Sequence, residues 1–576
     1  MNTSSNSLST HSPDNPLEKT PVKSKTMASA KQLEKVESEN MIKVESANDR
    51  DHLEPLPELT AVDDEPGLYG GFCPGGSWSG GICQPFNNNR THWMSTYGGV
   101  RNLPIHLAIL PGTHNSGFDY EAKQTPSMEV CQDVSPHKQL NAGIRVLDIR
   151  VEHYFGLPAG DPRRFMIFHS TNNGRTIKED IIKGVRDFHY GPGWDRRKEI
   201  VILDFHQFKG FTPAAHAELA ALLKSSFGDS IISPTYKELS ISQIWALPGF
   251  KNVVIAYNSG NRDSSFWPGV NQRWIGTNTP SDSELKAFID RVGNEVKPTG
   301  ELRSIQAARM VLPFFVPKDI STSIMNWFAA GSASHPIMKY FIINSDFSLR
   351  HRLVDNVIYS NQFRTRALGL SDVTEATPVN VGAFDAQAAR HMVLRVSDEQ
   401  WAPIVDLPPI ADEQAHRLLV CSDASRDCVL RLQGSDVPSG RIPLIRGDNL
   451  AFVCLDGSRR WQLQVQDYQS DACGPFIPLP VDGEKFARYT AGADLEMSVA
   501  FLPDSAPDGT VIWVIDQSDV DLRIRYSNEQ RESEFLLSAG DSRAFIYNRF
   551  DECWEVQGIQ APSGGFQLRH TTGFTR

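Results

Sequence analysis

An α/β barrel followed by a duplicated all-β region is the fold class that this sequence predicts, and three observations carry it. Across residues 103–366, short apolar runs (HLAIL, IRVLDIRV, FMIFH, EIVILDF, NVVIAY and YFIIN) alternate with helix-like stretches. Beyond Asp372 the helical punctuation stops, and short strands are separated by Gly, Asp, Pro and Ser. Within that second part, GDNLAFVCLDGSRRWQLQ (447–464) matches GDSRAFIYNRFDECWEVQ (540–557) without a gap.

Each segment has its own reason. A chain of 576 residues is too long for one core, since domains usually run to about 100–200 residues. Residues 1–66 hold 7 Lys/Arg against 13 Asp/Glu and one short apolar cluster, so they are expected to form a disordered acidic tail. A Gly- and Trp-rich leading segment follows, and the barrel is placed at 67–371. Nearly continuous apolar runs imply strands buried on both faces, as in a parallel sheet covered by helices. In TPAAHAELAALLKSSFG, Thr212 is a natural N-cap, Pro213 suits the first helical position and Gly228 can end the helix. Six or more such units suit a TIM-like (β/α) barrel, closing near Arg366, better than two doubly wound domains. The repeat divides the remainder into β modules at 372–470 and 471–576. In the repeat Asp448 coincides with Asp541 and Trp461 with Trp554, and the two tryptophans are expected in the module cores.

Composition narrows the function. The net charge of −12 lacks the basic footprint of a nucleic-acid binder. No apolar run reaches the ~18 residues of a membrane span, and no secretory signal is visible at the N-terminus. The expectation is a soluble protein, cytoplasmic or exported by an unconventional route. None of the eight cysteines forms a C-x2-C pair, so no structural zinc is expected, and Cys73 and Cys83 either bridge or stay free.

The chemistry gathers where the barrel strands end. HLAIL runs into His114-Asn115-Ser116, IRVLDIRV carries Asp148 and Arg150, and FMIF ends in His169. VILDF presents Asp204 and His206, NVVIAY closes on Tyr257, and FIIN leads to Ser345-Asp346. Barrel enzymes place catalytic groups at the C-terminal ends of several strands. Two imidazoles can remove and deliver a proton, while a guanidinium offsets charge on phosphate oxygens.

The strings LPGTHNSG (110–117), CQDVSPHKQLNAGIRVLDIRV (131–151), FHS (168–170) and EIVILDFHQF (199–208), in that order, resemble the catalytic X domain of phosphatidylinositol-specific phospholipases C. FWPGVNQRWIGTN (266–278) and SIQAARM (304–310) look like members consisting mainly of an X domain. The resemblance implies a distorted TIM barrel that cleaves a phosphoinositide or related phosphodiester, through an intramolecular attack that yields a cyclic phosphate. It implies His114 as general base on the inositol 2-hydroxyl, Asp346 as its partner, Arg150 at the phosphate and His169 as general acid. Asn115, Asp148, His206 and Tyr257 are candidate substrate contacts.

Two departures bear on metal use. Asn115 is what calcium-dependent members carry, yet Arg150 and His206 stand where those members have further carboxylates. A cation at Arg150 would repel a bound metal, so the expected cofactor is none, with calcium the runner-up. The expected partner is a phospholipid membrane surface, with the β modules a candidate surface for glycan or protein. The aromatics Phe314, Phe315, Trp327 and Phe328 suit either a lipid interface or barrel-wall packing. Two other functions fit the residues: a phosphodiesterase on another lipid or glycerophosphodiester, and a surface-binding protein acting through its β modules.

Overall fold

The computed structural model describes residues 76–79, 82–85 and 90–557, apart from 123, 193, 313–314, 371, 379–389, 411, 437–439, 456, 481–483, 496–497, 508, 529–530 and 549–551. The acidic tail, Phe314 and the side chains of Cys73 and Cys83 lie outside the described residues.

The first part is a curled sheet whose main path of eight strands is parallel. Its strands are β1 (Leu110–Thr113), β2 (Val146–His153), β3 (Val201–Lys209), β4 (Val253–Tyr257), β5 (Trp267–Pro268), β6 (Asn271–Arg273), β7 (Arg303–Ala307) and β8 (Ile342–Ser345). They are ordered β6-β7-β8-β1-β2-β3-β4-β5, with every neighbouring pair parallel. Only Gly269 and Val270 separate β5 from β6, so the segment 267–273 pairs with β4 at its start and with β7 at its end. Val146, Leu147, Ile202, Leu203, Val254, Ile255 and Ile343 are fully buried, as strands covered on both faces require.

Helices cover the outside. In α1 (Pro213–Phe227) the Thr212 hydroxyl accepts from Ala215 N, and Gly228 ends the helix at φ 48°. In α2 (Asp282–Gly293) Ser281 and Glu284 form a reciprocal capping box. In α3 (Leu353–Ala367) the Asn361 side chain brackets Ile109, accepting from its N at 2.9 Å and donating to its O at 2.9 Å.

Two expected strands differ. HLAIL is not a strand: Ile105–Leu107 form a 3-10 turn closed onto the Pro104 carbonyl, and the strand begins at Leu110. Inside that strand Gly112 has a close-approach role, since a Cβ there would lie 1.9 Å from Asn344 Oδ1. FMIF is a strand, Phe165–Phe168, but it pairs antiparallel with the outer end of β2 and with Asn172–Thr176. The link from His153 to Phe165 is too short for a parallel crossover, which needs about a dozen or more residues. His169 therefore comes from a hairpin turn beside the cleft.

Beyond Thr374 the described elements are β-strands apart from one short helix, Ser470–Cys473. The first strands are β9 (Thr374–Ala376), β10 (His391–Val396), β11 (Ile404–Asp406), β12 (His416–Ser422), β13 (Cys428–Arg431), β14 (Arg441–Leu444), β15 (Asn449–Cys454) and β16 (Gln462–Leu463). They form a β9-β10-β12-β15-β16 sheet and a β11-β13-β14 sheet. Next come β17 (Gln466–Gln469), β18 (Phe486–Ala491), β19 (Val499–Phe501), β20 (Val511–Asp516), β21 (Leu522–Asn528), β22 (Arg531–Leu537), β23 (Ser542–Asn548) and β24 (Cys553–Gln557). These form a β17-β18-β20-β23-β24 sheet and a β19-β21-β22 sheet. Adding eight to a label in the first set gives its counterpart, with the same parallel or antiparallel sense at each pairing. The second set starts at Gln466, slightly before the expected boundary at 471.

The repeated residues behave alike where they build the core. Trp461 Nε1 donates to Pro408 O at 2.8 Å and Trp554 Nε1 to Pro503 O at 2.7 Å. Both indoles are buried. The aspartates diverge: Asp448 is buried and lies 3.1 Å from Lys485 Nζ, whereas Asp541 is exposed.

The first β set packs on the end of the barrel away from the strand C-termini. Gln243 Nε2 donates to the Met392 and Arg417 carbonyls at 2.9 and 3.0 Å, and Val393 and Leu419 join the barrel's apolar core. Of the aromatic stretch, Phe328 is fully buried edge-on to Tyr340, and Trp327 packs on the core while partly exposed. These two serve the barrel wall.

Candidate active site

The site lies in a shallow cleft, about 490 Å³ with its open mouth included, at the C-terminal ends of the strands, where His114, Arg150, His169 and Asp346 converge. His114 follows β1 and Asp346 follows β8, which pair in parallel with Thr113 opposite Ser345, so their side chains emerge side by side. His114 Nδ1 lies 2.8 Å from Asp346 Oδ1. On the other edge of the ring, Asn115 Nδ2 donates to His114 Nε2 at 3.1 Å. Together these contacts fit the tautomer with the proton on Nδ1 and the lone pair on Nε2. Burial, the largest single effect, disfavours the imidazolium, but Asp346 and Asp148 together outweigh it and raise the pKa of His114.

Local backbone holds this pair. Asn115 and Phe347, immediately after the two members, adopt φ of 48° and 49°, the left-handed region that turns each chain sharply away. Gln132, buried beneath them, donates from Nε2 to the His114 carbonyl at 2.8 Å and the Ser345 carbonyl at 2.9 Å. Its Oε1 accepts from Ser348 N at 3.2 Å. One amide therefore ties together the two loops that carry the dyad. No sequence pattern announces that role.

Deeper in the barrel sits a charged cluster. His206 Nδ1 is 2.5 Å from Asp148 Oδ1, and Asp148 Oδ2 accepts from Asn115 N at 3.2 Å. Burial works against the Asp148 carboxylate, but His206, His114 and Arg150 together hold its pKa well below the ordinary range. Asp204, buried and facing that charge, is pushed well above it, while Gln272 Nε2 donates to its Oδ2 at 2.6 Å. His206 is lowered, chiefly by burial.

Asp148, Asp204 and His206 place ligand-capable atoms within 4.8 Å of one another. The set does not fit calcium, which takes about 6–8 oxygen ligands. An imidazole nitrogen already lies against Asp148, and Arg150 adds positive charge to the same cluster.

The predicted site residues thus divide. His114, Arg150, His169 and Asp346 line the cleft; Asn115, Asp148 and His206 lie against them, below. Tyr257 does not reach it. It is fully buried among Phe205, Phe208 and Phe266, and its hydroxyl lies 2.8 Å from His216 Nδ1, because an inward-facing tyrosine in an apolar wall needs a polar partner. His169 is buried, with its ring edge-on to Phe118 at 5.5 Å.

Four further cleft residues, Gln272, Trp274, Gln306 and Arg309, come from the segments 266–278 and 304–310. Neither end of the Gln306 amide has a hydrogen-bond partner among the described residues. The strings FWPGVNQRWIGTN and SIQAARM were legible as motifs, but nothing in them said which side chains face inward.

A parallel, curled sheet here brings a His–Asp pair, a second histidine and an arginine into one cleft, groups able to exchange protons and to offset anionic charge. No family model matches the chain. It is similar to PI-PLC X domain-containing protein 1 of Mus musculus (26% identical, covering 30% of this chain and 47% of the relative). It is also similar to the Homo sapiens protein of the same description (24%; 37% and 71%) and to PI-PLC X domain-containing protein 3 of Mus musculus (23%; 36% and 70%). The chain thus spans just under half the length of the first of these relatives. Among solved structures, the phosphatidylinositol-specific phospholipase C from Listeria monocytogenes shows 16% identity and a TM-score of 0.35, covering 48% of this chain and 99% of that one. A Staphylococcus aureus counterpart shows 10% identity and a TM-score of 0.36, covering 47% and 98%. Over about a third of its length, then, the chain is similar to PI-PLC X domain-containing proteins.

Proposed function

We propose that this chain is a phosphodiesterase of the phosphatidylinositol-specific phospholipase C type, converting phosphatidylinositol-type lipids to diacylglycerol and a cyclic inositol phosphate. The observation that carries this reading is the His114–Asp346 pair sharing a cleft with His169 and Arg150. His114 Nε2 takes the proton of the inositol 2-hydroxyl while Nδ1–H is held by Asp346. The freed oxygen attacks phosphorus, the bond to the glycerol oxygen breaks, and His169 delivers a proton to that departing oxygen. Attack within one molecule makes proximity a large part of the rate. Arg150 offsets charge on the phosphate oxygens. The mechanism is metal-free, a reading supported by the poor fit of the Asp148 cluster to calcium.

The reaction takes place at a lipid surface. Tyr120, Phe155 and Leu312, on loops that follow β1, β2 and β7, are 60%, 86% and 65% exposed on the face that carries the cleft. No helix among the described residues is long and apolar enough to cross a membrane. The two β sets are a duplicated module, a reading supported by their matched topology and matched tryptophans; they are a candidate surface for glycan or protein.

The test presents purified protein with a vesicle panel of phosphatidylinositol, phosphatidylcholine and sphingomyelin, with products read by mass spectrometry. Diacylglycerol should come from the inositol lipid, and His114→Ala and His169→Ala should each abolish its release while leaving the circular dichroism unchanged. Full activity in either variant, or selective cleavage of a non-inositol lipid, refutes the proposal.

A further inference from the structure

At the barrel end opposite the catalytic cleft, a second cavity of about 990 Å³, its open mouth included, lies where the barrel and both β sets meet. The barrel supplies Asp229, Tyr236 and Lys251, the first β set supplies Gly447 and Asn449, and Glu484 comes from the stretch leading into β18. The enclosed space is about 260 Å³, just below the range of small-molecule sites, about 300–1,000 Å³.

The polar groups on its lining are unevenly satisfied. Lys251 is half-buried and makes no hydrogen bond or ion pair among the described residues; Asp229 and Glu484 are the carboxylates near enough to act on it. Glu484 Oε1 accepts from Thr235 Oγ1 at 2.5 Å. Asn449 donates to Gly447 O at 2.8 Å, while its own Oδ1 has no hydrogen-bond partner among the described residues. Lys224, also on the lining, is 3.4 Å from Asp263. The cavity thus offers an uncommitted ammonium, carboxylates and a spare amide oxygen.

We infer that this cavity is a binding site for a small phosphorylated polyol, distinct from the catalytic cleft. The ammonium of Lys251 takes the anionic group. The acceptors on Asp229, Glu484 and Asn449 take hydroxyl protons, which a plain anion does not supply. The turn that contributes Gly447 and Asn449 belongs to the repeated Gly-Asp motif, whose first copy is built into this junction. Its second copy carries the exposed Asp541. A ligand here touches the catalytic barrel and both β sets together.

Calorimetric titration of the full chain with inositol 1-phosphate, glucose 6-phosphate and glycerol 3-phosphate tests this, with inositol and inorganic phosphate as controls. At least one phosphorylated polyol should bind, and comparison among the three separates an inositol phosphate from a general sugar phosphate. Lys251→Met should weaken this binding by about tenfold or more, the scale of losing one hydrogen bond to a charged group. Glu484→Gln should weaken it too, whereas Arg150→Ala in the catalytic cleft should leave it. Hydrogen exchange on the unmodified chain should show protection at 229–236 and 447–449. Binding by none of the three, binding lost only in Arg150→Ala, or protection confined to the catalytic loops overturns the inference and leaves the cavity as solvent space.

Discussion

Replacing Asp346 by Asn isolates the electrostatic part of the proposed base. The carboxylate lies 2.8 Å from His114 Nδ1 and raises the imidazole pKa against the opposing effect of burial. Unit charges ~4 Å apart interact by about 4 kcal/mol at an effective dielectric of ~20. One pKa unit corresponds to about 1.4 kcal/mol. The neutral amide can still accept one hydrogen bond, so a net fall of about one to two units is expected. The sign is definite. His114 works as a base only above its own pKa, so lowering that pKa moves the acid limb of kcat/KM to lower pH. The rate on the plateau should also fall, by about 10²-fold, the lower end of what a positioned base contributes. The assay is the pH profile of kcat/KM on phosphatidylinositol vesicles. An acid limb that stays in place, with the rate preserved, would refute a base tuned by Asp346.

Other outcomes follow from the same geometry. Gln132→Leu leaves the His114 and Ser345 carbonyls without their amide donor, so kcat should fall with KM little changed and thermal stability should drop; about 1–3 kcal/mol is expected for each orphaned buried group. Arg145 and Glu199, both fully buried and 2.5 Å apart, form an ion pair behind the catalytic face, and Arg145→Met should cost about 3–5 kcal/mol in chemical denaturation by stranding the carboxylate. His169→Ala should lose far less rate on a substrate whose leaving oxygen is a nitrophenolate than on the lipid, since such a group departs without a proton; equal losses on both contradict the general-acid role.

Much of the site could be read from strand ends, because a parallel barrel delivers whatever follows each strand to one face. His114 and Asp346 lie 232 positions apart, yet adjacent strands place them in contact. Pattern reading failed where local geometry overrode hydrophobicity. HLAIL reads as a strand, but Pro104 starts a 3-10 turn. FMIF reads as a barrel strand, but its short link makes it a hairpin. Tyr257 ends a strand as its neighbours do, yet its side chain faces the aromatic wall. The repeat predicted two like modules, and the cores agree through Trp461 and Trp554. The differing fates of Asp448 and Asp541 depend on Lys485, which no alignment of the two copies would reveal.

The central claim is that two histidines, an arginine and an aspartate cleave an inositol phosphodiester without a metal ion. Phosphorus NMR of phosphatidylinositol vesicles incubated with the protein in EDTA tests it most directly. The account predicts that a cyclic inositol 1,2-phosphate resonance grows in first, at a rate unchanged by excess chelator. A lipid resonance that persists in EDTA and is consumed only when a divalent cation is restored contradicts it.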